Sequence, residues 1–261
     1  MRILYLGNNR VGRQVLRWLK EQREEIVGLV VHPPEKQKHG AEIIRESGLD
    51  AQNIFDGSIL DKPESLAAIR RLRPDLALSV FFGYILKPEF IGLFRGGVIN
   101  LHPAYLPYNR GTYPNVWSIV DKTPAGATLH YIDAGIDTGD IIAQQKVAVE
   151  VKDTGATLYH RLEQACLELF QRTWPLIRAG QPPRFRQPAP GTKHRARDVA
   201  QIDEIDLHRN YRAGELIDVL RARTFPPFPG AYFRSDGRKV FLRLQLLDED
   251  ELGRADDDRL D

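Results

Sequence analysis

Short apolar runs that alternate with segments of helical period fill the first part of the chain, and this alternation restricts the fold more than any other feature. Arg2 to Leu6 (RILYL) is an apolar run closed by Gly7, and Val11 to Glu21 then carries Val11, Val15, Leu16 and Leu19 at helical spacing. That pattern predicts strand, turn and helix. It recurs in Ile26 to Val31 before a helix at Ala41 to Glu46 ended by Gly48, and in the short strand Asn53 to Phe55 before a helix at Pro63 to Leu72. Asp75 to Phe82 and Gly97 to Leu101 read as two more buried strands. Parallel strands need long crossovers and bury both faces, so they appear as continuous apolar runs.

The fold class expected is therefore α/β, a Rossmann-like, doubly wound, mostly parallel sheet. After residue 121 the pattern changes. Gly126 to Ile132 and Asp140 to Val149 are strands only a short loop apart, followed by a long helix from Thr154 to Ile177 with Leu158, Leu162, Leu169 and Ile177 on its apolar stripe. Gly180-Gln181-Pro182-Pro183 stops that helix. We expect a catalytic domain over residues 1–180, a linker rich in Pro, Arg and Gln over 181–191, and a small C-terminal domain over 192–247. The small domain is expected to hold a helix (Gly214 to Arg223) and a hairpin of Ala231 to Phe233 with Lys239 to Leu246 about Ser235-Asp236-Gly237. Residues 248–261 read as an acidic, flexible tail.

Composition enters by exclusion. Thirty-seven basic and 35 acidic residues leave a net charge of +2, which argues against a broad nucleic-acid-binding field while leaving local patches open. The single cysteine, Cys166, rules out an internal disulfide and a cysteine metal cage. It falls in the apolar run of a helix, as core filler rather than nucleophile. No apolar stretch approaches the roughly 18 residues of a membrane helix, and MRILYLGNNR runs straight into a strand without a basic leader region. A soluble, cytoplasmic protein with no membrane partner is expected.

Gly7 and Gly12 invite a dinucleotide reading, but Asn9 occupies the second glycine position of G-x-G-x-x-G and would crowd a pyrophosphate. Asn9 is either a polar group presented above the carboxyl ends of the strands or a plain turn asparagine. The most informative segment is Val98-Ile99-Asn100-Leu101-His102-Pro103. Alternation places Asn100 and His102 on one face at the carboxyl end of a core strand, and Pro103 ends the pairing. A lone histidine there is commonly structural. A second polar element, Asp133-Ala-Gly-Ile-Asp137-Thr-Gly-Asp140, lies between the two added strands and offers a carboxylate to orient it.

Together Asn100-x-His102-Pro103, Gly111, Gly126-x-Thr128-x-His130 and Asp137-Thr-Gly-Asp-Ile-Ile resemble the formyltransferase family that uses N10-formyltetrahydrofolate, over roughly residues 75–150. The resemblance implies a catalytic trio of Asn100, His102 and Asp137. Formyl transfer needs a deprotonated amine and leaves negative charge on the formyl oxygen. Asn100 and His102 are suited to stabilise that charge, and His102, held in one tautomer by Asp137, to take the amine proton, with relay through Asp137 or water left open. The loop Phe81-Phe82-Gly83-Tyr84-Ile85-Leu86 reads from its residues as core packing. By resemblance it receives the pterin of the formyl donor, with Phe82, Gly83 and Ile85 on one wall and Asp133 on the other. No metal is required, and the sequence offers no ligand cluster.

The stretch Asp218 to Phe233, with Tyr108-Asn109-Arg110-Gly111 and Pro114-Asn115-Val-Trp117, is similar to the sugar N-formyltransferases. These formylate the amine of a nucleotide-linked 4-amino-4,6-dideoxy-sugar, commonly dTDP-linked, for bacterial surface polysaccharides such as O-antigen. That likeness implies a nucleotide-sugar partner touched by Asn9, Tyr108, Asn109, Arg110 and Tyr232, and a homodimer through the C-terminal domain. Arg110 is either a diphosphate ligand or a solvated surface charge. Phe225, Phe228, Tyr232 and Phe233 are either the small domain's core or a platform for a base or a second copy. Two alternatives stay open: a formyltransferase with another amine acceptor such as methionyl-tRNA, and a non-catalytic nucleotide-sugar-binding protein on the same scaffold.

Overall fold

The computed structural model describes residues 1–251. The catalytic part runs β1 (Arg2–Gly7), α1 (Arg10–Glu21), β2 (Glu25–Val31), α2 (Gly40–Ser47), β3 (Ile54–Asp56), α3 (Pro63–Arg71), β4 (Leu76–Val80), α4 (Pro88–Ile91) and β5 (Val98–His102). It continues through β6 (Arg110–Gly111), α5 (Pro114–Val120), β7 (Ala125–Tyr131), β8 (Ile141–Val147) and α6 (Gly155–Arg178). Then come β9 (Lys193–His194), α7 (Ala200–Asp203), α8 (Ala213–Ala222) and the hairpin strands β10 (Tyr232–Ser235) and β11 (Arg238–Phe241). Seven strands form one sheet in the order β3-β2-β1-β4-β5-β7-β8. The first five are parallel, and β7 and β8 are added antiparallel.

The expected mostly parallel, Rossmann-like sheet is therefore the fold. Alternation along β1 shows how the sequence builds it. Ile3 and Tyr5 join α1, α2 and α6 in a core on one face, while Leu4 and Leu6 pack with Ile69 of α3 and Phe90 of α4 on the other. Strand order reverses between β1 and β4, and ligands of open α/β sheets bind outside the carboxyl ends at such a point. β4 is shorter than the apolar run Asp75 to Phe82 predicts, because Phe81 adopts a left-handed φ of 51° and turns the chain off the sheet. Likewise β11 ends at Phe241, well before Leu246. The hairpin turn uses Asp236 (φ 49°) and Gly237 (φ 76°), the Asp-Gly chemistry of a tight turn.

Beyond α6 the chain folds back over the catalytic half. Phe185 bridges Ile141 through two backbone hydrogen bonds of 2.8 and 2.9 Å, and β9 pairs with β6. α8 joins a third apolar cluster, in which Ala222 packs with Val116 and Ile119 of α5 and Leu158 and Leu162 of α6. Of the acidic stretch 248–261, Asp248 and Glu251 both pair with Lys152, and residues 252–261 lie outside the described residues. Thr154 caps α6, and Gly155 at its first turn lies so near the end of α8 that a Cβ there would stand 2.1 Å from the Ala222 carbonyl oxygen. Backbone cannot retreat from such a contact cheaply. Gly155→Ala is expected to destabilise the chain by about 1–3 kcal/mol, read as a lower denaturant midpoint; an unchanged midpoint would contradict the close packing of α8 on α6.

Candidate active site

A cavity of about 430 Å³ opens at the carboxyl ends of β4 and β5. Asn100, His102, Asp137, Phe82, Gly83, Ile85 and Asp133 all line it. Asn100 and His102 reach it because they alternate on the last residues of β5. Asp137 reaches it because the β7–β8 loop arches back over the strand ends, with a left-handed φ of 52° at Asp137 itself. Gly139 allows that arch, since a Cβ there would lie 1.9 Å from the Tyr131 carbonyl oxygen.

Asp137 is the centre of the arrangement. Its Oδ2 accepts from the Gly111 N–H at 2.8 Å and stands 3.6 Å from His102 Nε2, while Oδ1 stands 3.6 Å from His130 Nε2. Burial alone would raise its carboxyl, but the His102 ring and the Gly111 N–H outweigh that and hold it well below the usual carboxylate range. His102 is 7% exposed. Burial pushes its imidazole below the ordinary value, with Asp137 pulling the other way. The site at neutral pH thus holds a neutral imidazole beside an ionised carboxylate. His102 Nε2 faces two acceptors, Asp137 Oδ2 and the Asn109 carbonyl oxygen at 3.4 Å, so Nε2 carries the proton and Nδ1 is the ring's lone pair.

The walls are built by neighbours that the sequence did not single out. His32, at the carboxyl end of the core strands, accepts from the Gly83 N–H at 3.2 Å and packs against Phe82 and Tyr84 at 4.9 and 4.7 Å. Burial, with Lys36 and Lys38, lowers its pKa and favours the unprotonated ring that such an acceptor requires. Ile85 is 75% exposed at the lip. Opposite, Asp133 holds its own loop, accepting from Gly135 N–H at 2.9 Å and Thr138 Oγ1 at 2.6 Å. Gln187 donates to the Asp137 and Gly139 carbonyl oxygens at 2.8 Å each, so the returning chain clamps the Asp137 loop from outside.

A larger cavity of about 680 Å³ lies alongside, lined by Asn9, Arg10, Lys38, Tyr113, Tyr159, His160, Phe225 and Phe228 among others. Consecutive residues line the two, Thr112 the smaller and Tyr113 the larger. Asn9 caps α1, accepting from Gly12 N–H at 3.0 Å and donating to the Tyr159 hydroxyl at 3.4 Å. Burial pushes the Tyr159 hydroxyl up to about 12. Phe225 and Phe228 belong to this wall, their rings 5.5 Å apart.

The other four candidates stand elsewhere. Asn109 is fully buried, its amide donating to Ser118 and Thr123 at 2.8 Å each. Arg110 bonds Gln187 Oε1 at 3.0 and 2.7 Å, and Tyr108 lines neither cavity. Tyr232 sits on the hairpin, with its hydroxyl on Glu204 and Lys239 over its ring.

Against known proteins, a family described as formyl transferase matches residues 1–173, and one described as the N-formyltransferase dimerization C-terminal domain matches residues 198–248. The chain belongs to the formyl transferase family and is a formyltransferase. A dTDP-4-amino-4,6-dideoxyglucose formyltransferase of Mycobacterium bovis is 36% identical over 180 residues, 68% of this chain and 75% of that protein. A methionyl-tRNA formyltransferase of Geobacter sulfurreducens is 30% identical over 249 residues, 93% of this chain and 77% of that protein. Among solved structures, a 4-N formyltransferase from Francisella tularensis superposes with a TM-score of 0.80 at 28% identity, covering 95% of this chain and 98% of that one. A formyltransferase from Anoxybacillus kamchatkensis in complex with UDP-4,6-dideoxy-4-formamido-L-AltNAc and tetrahydrofolate has a TM-score of 0.57 at 33% identity, covering 77% and 89%.

These charges predict how the site titrates. His102 is expected to titrate below 6.5, its ordinary value, in NMR of the free enzyme. Asp137→Asn removes the main raising influence, so the variant's His102 should titrate lower still. A rise in the variant would contradict the placement of the carboxylate beside the ring.

Proposed function

We propose that the protein is a sugar N-formyltransferase, moving a formyl group from N10-formyltetrahydrofolate to the 4-amino group of a nucleotide-linked 4-amino-4,6-dideoxy-sugar, dTDP-linked in the first instance. The product is used for bacterial surface polysaccharide, the O-antigen of lipopolysaccharide. The observation that carries this reading is that Asn100, His102 and Asp137 line one cavity while the consecutive residues Thr112 and Tyr113 line that cavity and a second one of different chemistry. The smaller suits a flat heteroaromatic donor: it is a slot between the Phe82–Ile85 loop and the Asp133–Ile136 loop. The larger suits a nucleoside diphosphate. The N-terminus of α1 and the side chains of Arg10 and Lys38 favour phosphate charge, and Tyr159, His160, Phe225 and Phe228 offer a base aromatic neighbours.

In this reading Asn100 donates its amide to the formyl oxygen as negative charge develops there. His102 takes the proton of the attacking amine on Nδ1, while Asp137, ionised at neutral pH, holds the Nε2–H side of the ring. The proton passes on to N10 as the carbon–N10 bond breaks, so one C–N bond forms, one breaks and no redox partner is needed. Asn9 and the aromatic pair Phe225 and Phe228 bind substrate. Residues 1–180 serve as catalytic domain, 181–191 as linker and 192–247 as a dimerising domain whose hairpin exposes Val240 and Phe241. The reaction belongs in the cytoplasm, where folate donors and sugar nucleotides are made.

Acceptance of methionyl-tRNA is the second reading, favoured by the Geobacter sulfurreducens match along 93% of the chain. Against it stand the balanced charge of +2 and the aromatic cavity, which fits a nucleotide better than an RNA backbone. The test is loss of N10-formyltetrahydrofolate with dTDP-, UDP- and GDP-linked 4-amino-sugars and with methionyl-tRNA, run beside His102→Ala. Turnover on one amino-sugar nucleotide, reduced by about 10²–10³ in the variant, is expected. Turnover on the tRNA alone would replace the proposal with the second reading.

A further inference from the structure

His130 is 1% exposed, lines the smaller cavity and has no part in the transfer as assigned above. On the antiparallel ladder between β5 and β7 it stands directly opposite Asn100. Its Nδ1 lies 2.8 Å from the Tyr131 carbonyl oxygen. A carbonyl only accepts, so Nδ1 carries a proton, and in the neutral ring Nε2 is a lone pair. That lone pair lies 3.1 Å from Asn100 Nδ2, and an amide nitrogen only donates.

The ring therefore decides which way round the Asn100 amide stands. The reversed amide would set Oδ1 against the Nε2 lone pair, acceptor against acceptor. With the orientation fixed, one Nδ2 proton goes to His130 and the second has no protein partner among the described residues. The titratable neighbours are Asp137, its Oδ1 3.6 Å from Nε2, and the His102 ring, 6.2 Å away between centroids. A proton on Nε2 would face Asp137 well but oppose the Asn100 N–H, so the arrangement requires the neutral ring locked by Tyr131.

We infer that His130 is a positioning residue for formyl transfer: fixed as the Nδ1–H tautomer by the Tyr131 carbonyl, it holds the Asn100 amide as a hydrogen-bond donor to the formyl oxygen. The inference rests on the function proposed above and deepens it. His130 acts through Asn100, so its removal should lower kcat and leave KM for donor and acceptor nearly unchanged.

Two arms test it on the full-length protein. In the first, ¹⁵N shifts of labelled histidine in the wild type near neutral pH report the tautomer without any turnover. A neutral ring protonated at Nδ1 is expected; a ring protonated at Nε2, or at both nitrogens, overturns the inference. In the second, His130→Leu is expected to lower kcat by about 10²-fold, the loss typical of one oxyanion donor. His130→Gln, whose side-chain oxygen can still accept from Asn100, should recover most of that loss. The double variant His130→Leu/Asn100→Ala should be no slower than Asn100→Ala alone. Multiplying losses in the double variant, or equal losses in the Leu and Gln variants, overturn the role. If His130→Leu does not fold, the tautomer and His130→Gln decide. Absence of wild-type turnover on every acceptor sinks the function and this role together, whereas a wrong tautomer sinks this role alone.

Discussion

A carboxylate buried between two imidazole rings is a costly thing for a fold to hold, and the shape of the catalytic half follows from holding it. Asp137 stays ionised because the His102 ring and the Gly111 N–H outweigh its desolvation, with His130 packed against its other oxygen. Each of those partners requires a separate piece of architecture. His102 needs the end of β5, His130 needs an antiparallel strand in register with it, and Gly111 needs the short β6 strand pinned by β9. A φ of 94° at Gly111, with the His194 carbonyl oxygen only 2.3 Å from where a Cβ would stand, shows why that position carries no side chain. The added antiparallel strands are thus more than an edge extension, since their connecting loop closes the site.

Polar groups in such a site are useful only in one orientation. Backbone carbonyls and two side chains set that orientation here: the Tyr131 carbonyl faces His130 Nδ1, the Asn109 carbonyl and the Asp137 carboxylate face His102 Nε2, and the Gln187 amide holds the loop through two carbonyl oxygens. In the proposed function, this pre-organisation lets a neutral amide and a neutral imidazole stabilise developing charge without rearranging at the moment of reaction. The Phe82–Ile85 loop is fixed in the same way, by the Gly83 N–H on an unprotonated His32.

The fold was legible because period and punctuation agreed. Strands such as Ile26 to Val31 are buried on both faces and read as unbroken apolar runs, and Gly48, with a left-handed φ of 65°, ends its helix as a C-terminal glycine should. Asn100 and His102 were legible from alternation before Pro103, and Asp137 only through the spacing of its motif. His130 entered only as a member of the Gly126-x-Thr128-x-His130 motif with no role, and Gln187 not at all, because their roles depend on strand register and on the path of the returning chain, neither of which local sequence encodes. The Tyr108-Asn109-Arg110 segment shows the converse. A left-handed φ of 57° turns Asn109 inward to Ser118 and Thr123, and Gln187 takes the Arg110 guanidinium, so polar residues beside a catalytic strand need not face the ligand.

In the proposed function, donor and acceptor meet over Asn100 and His102. A crystal structure of the complex with a non-transferable formylated folate and dTDP tests it most directly. The pterin is expected between Phe82 and Asp133, the formyl oxygen about 3 Å from Asn100 Nδ2, and the diphosphate at the N-terminus of α1 beside Lys38. A formyl group turned away from Asn100, or a nucleotide bound outside the cavity of Asn9, Tyr159 and Phe228, would contradict it.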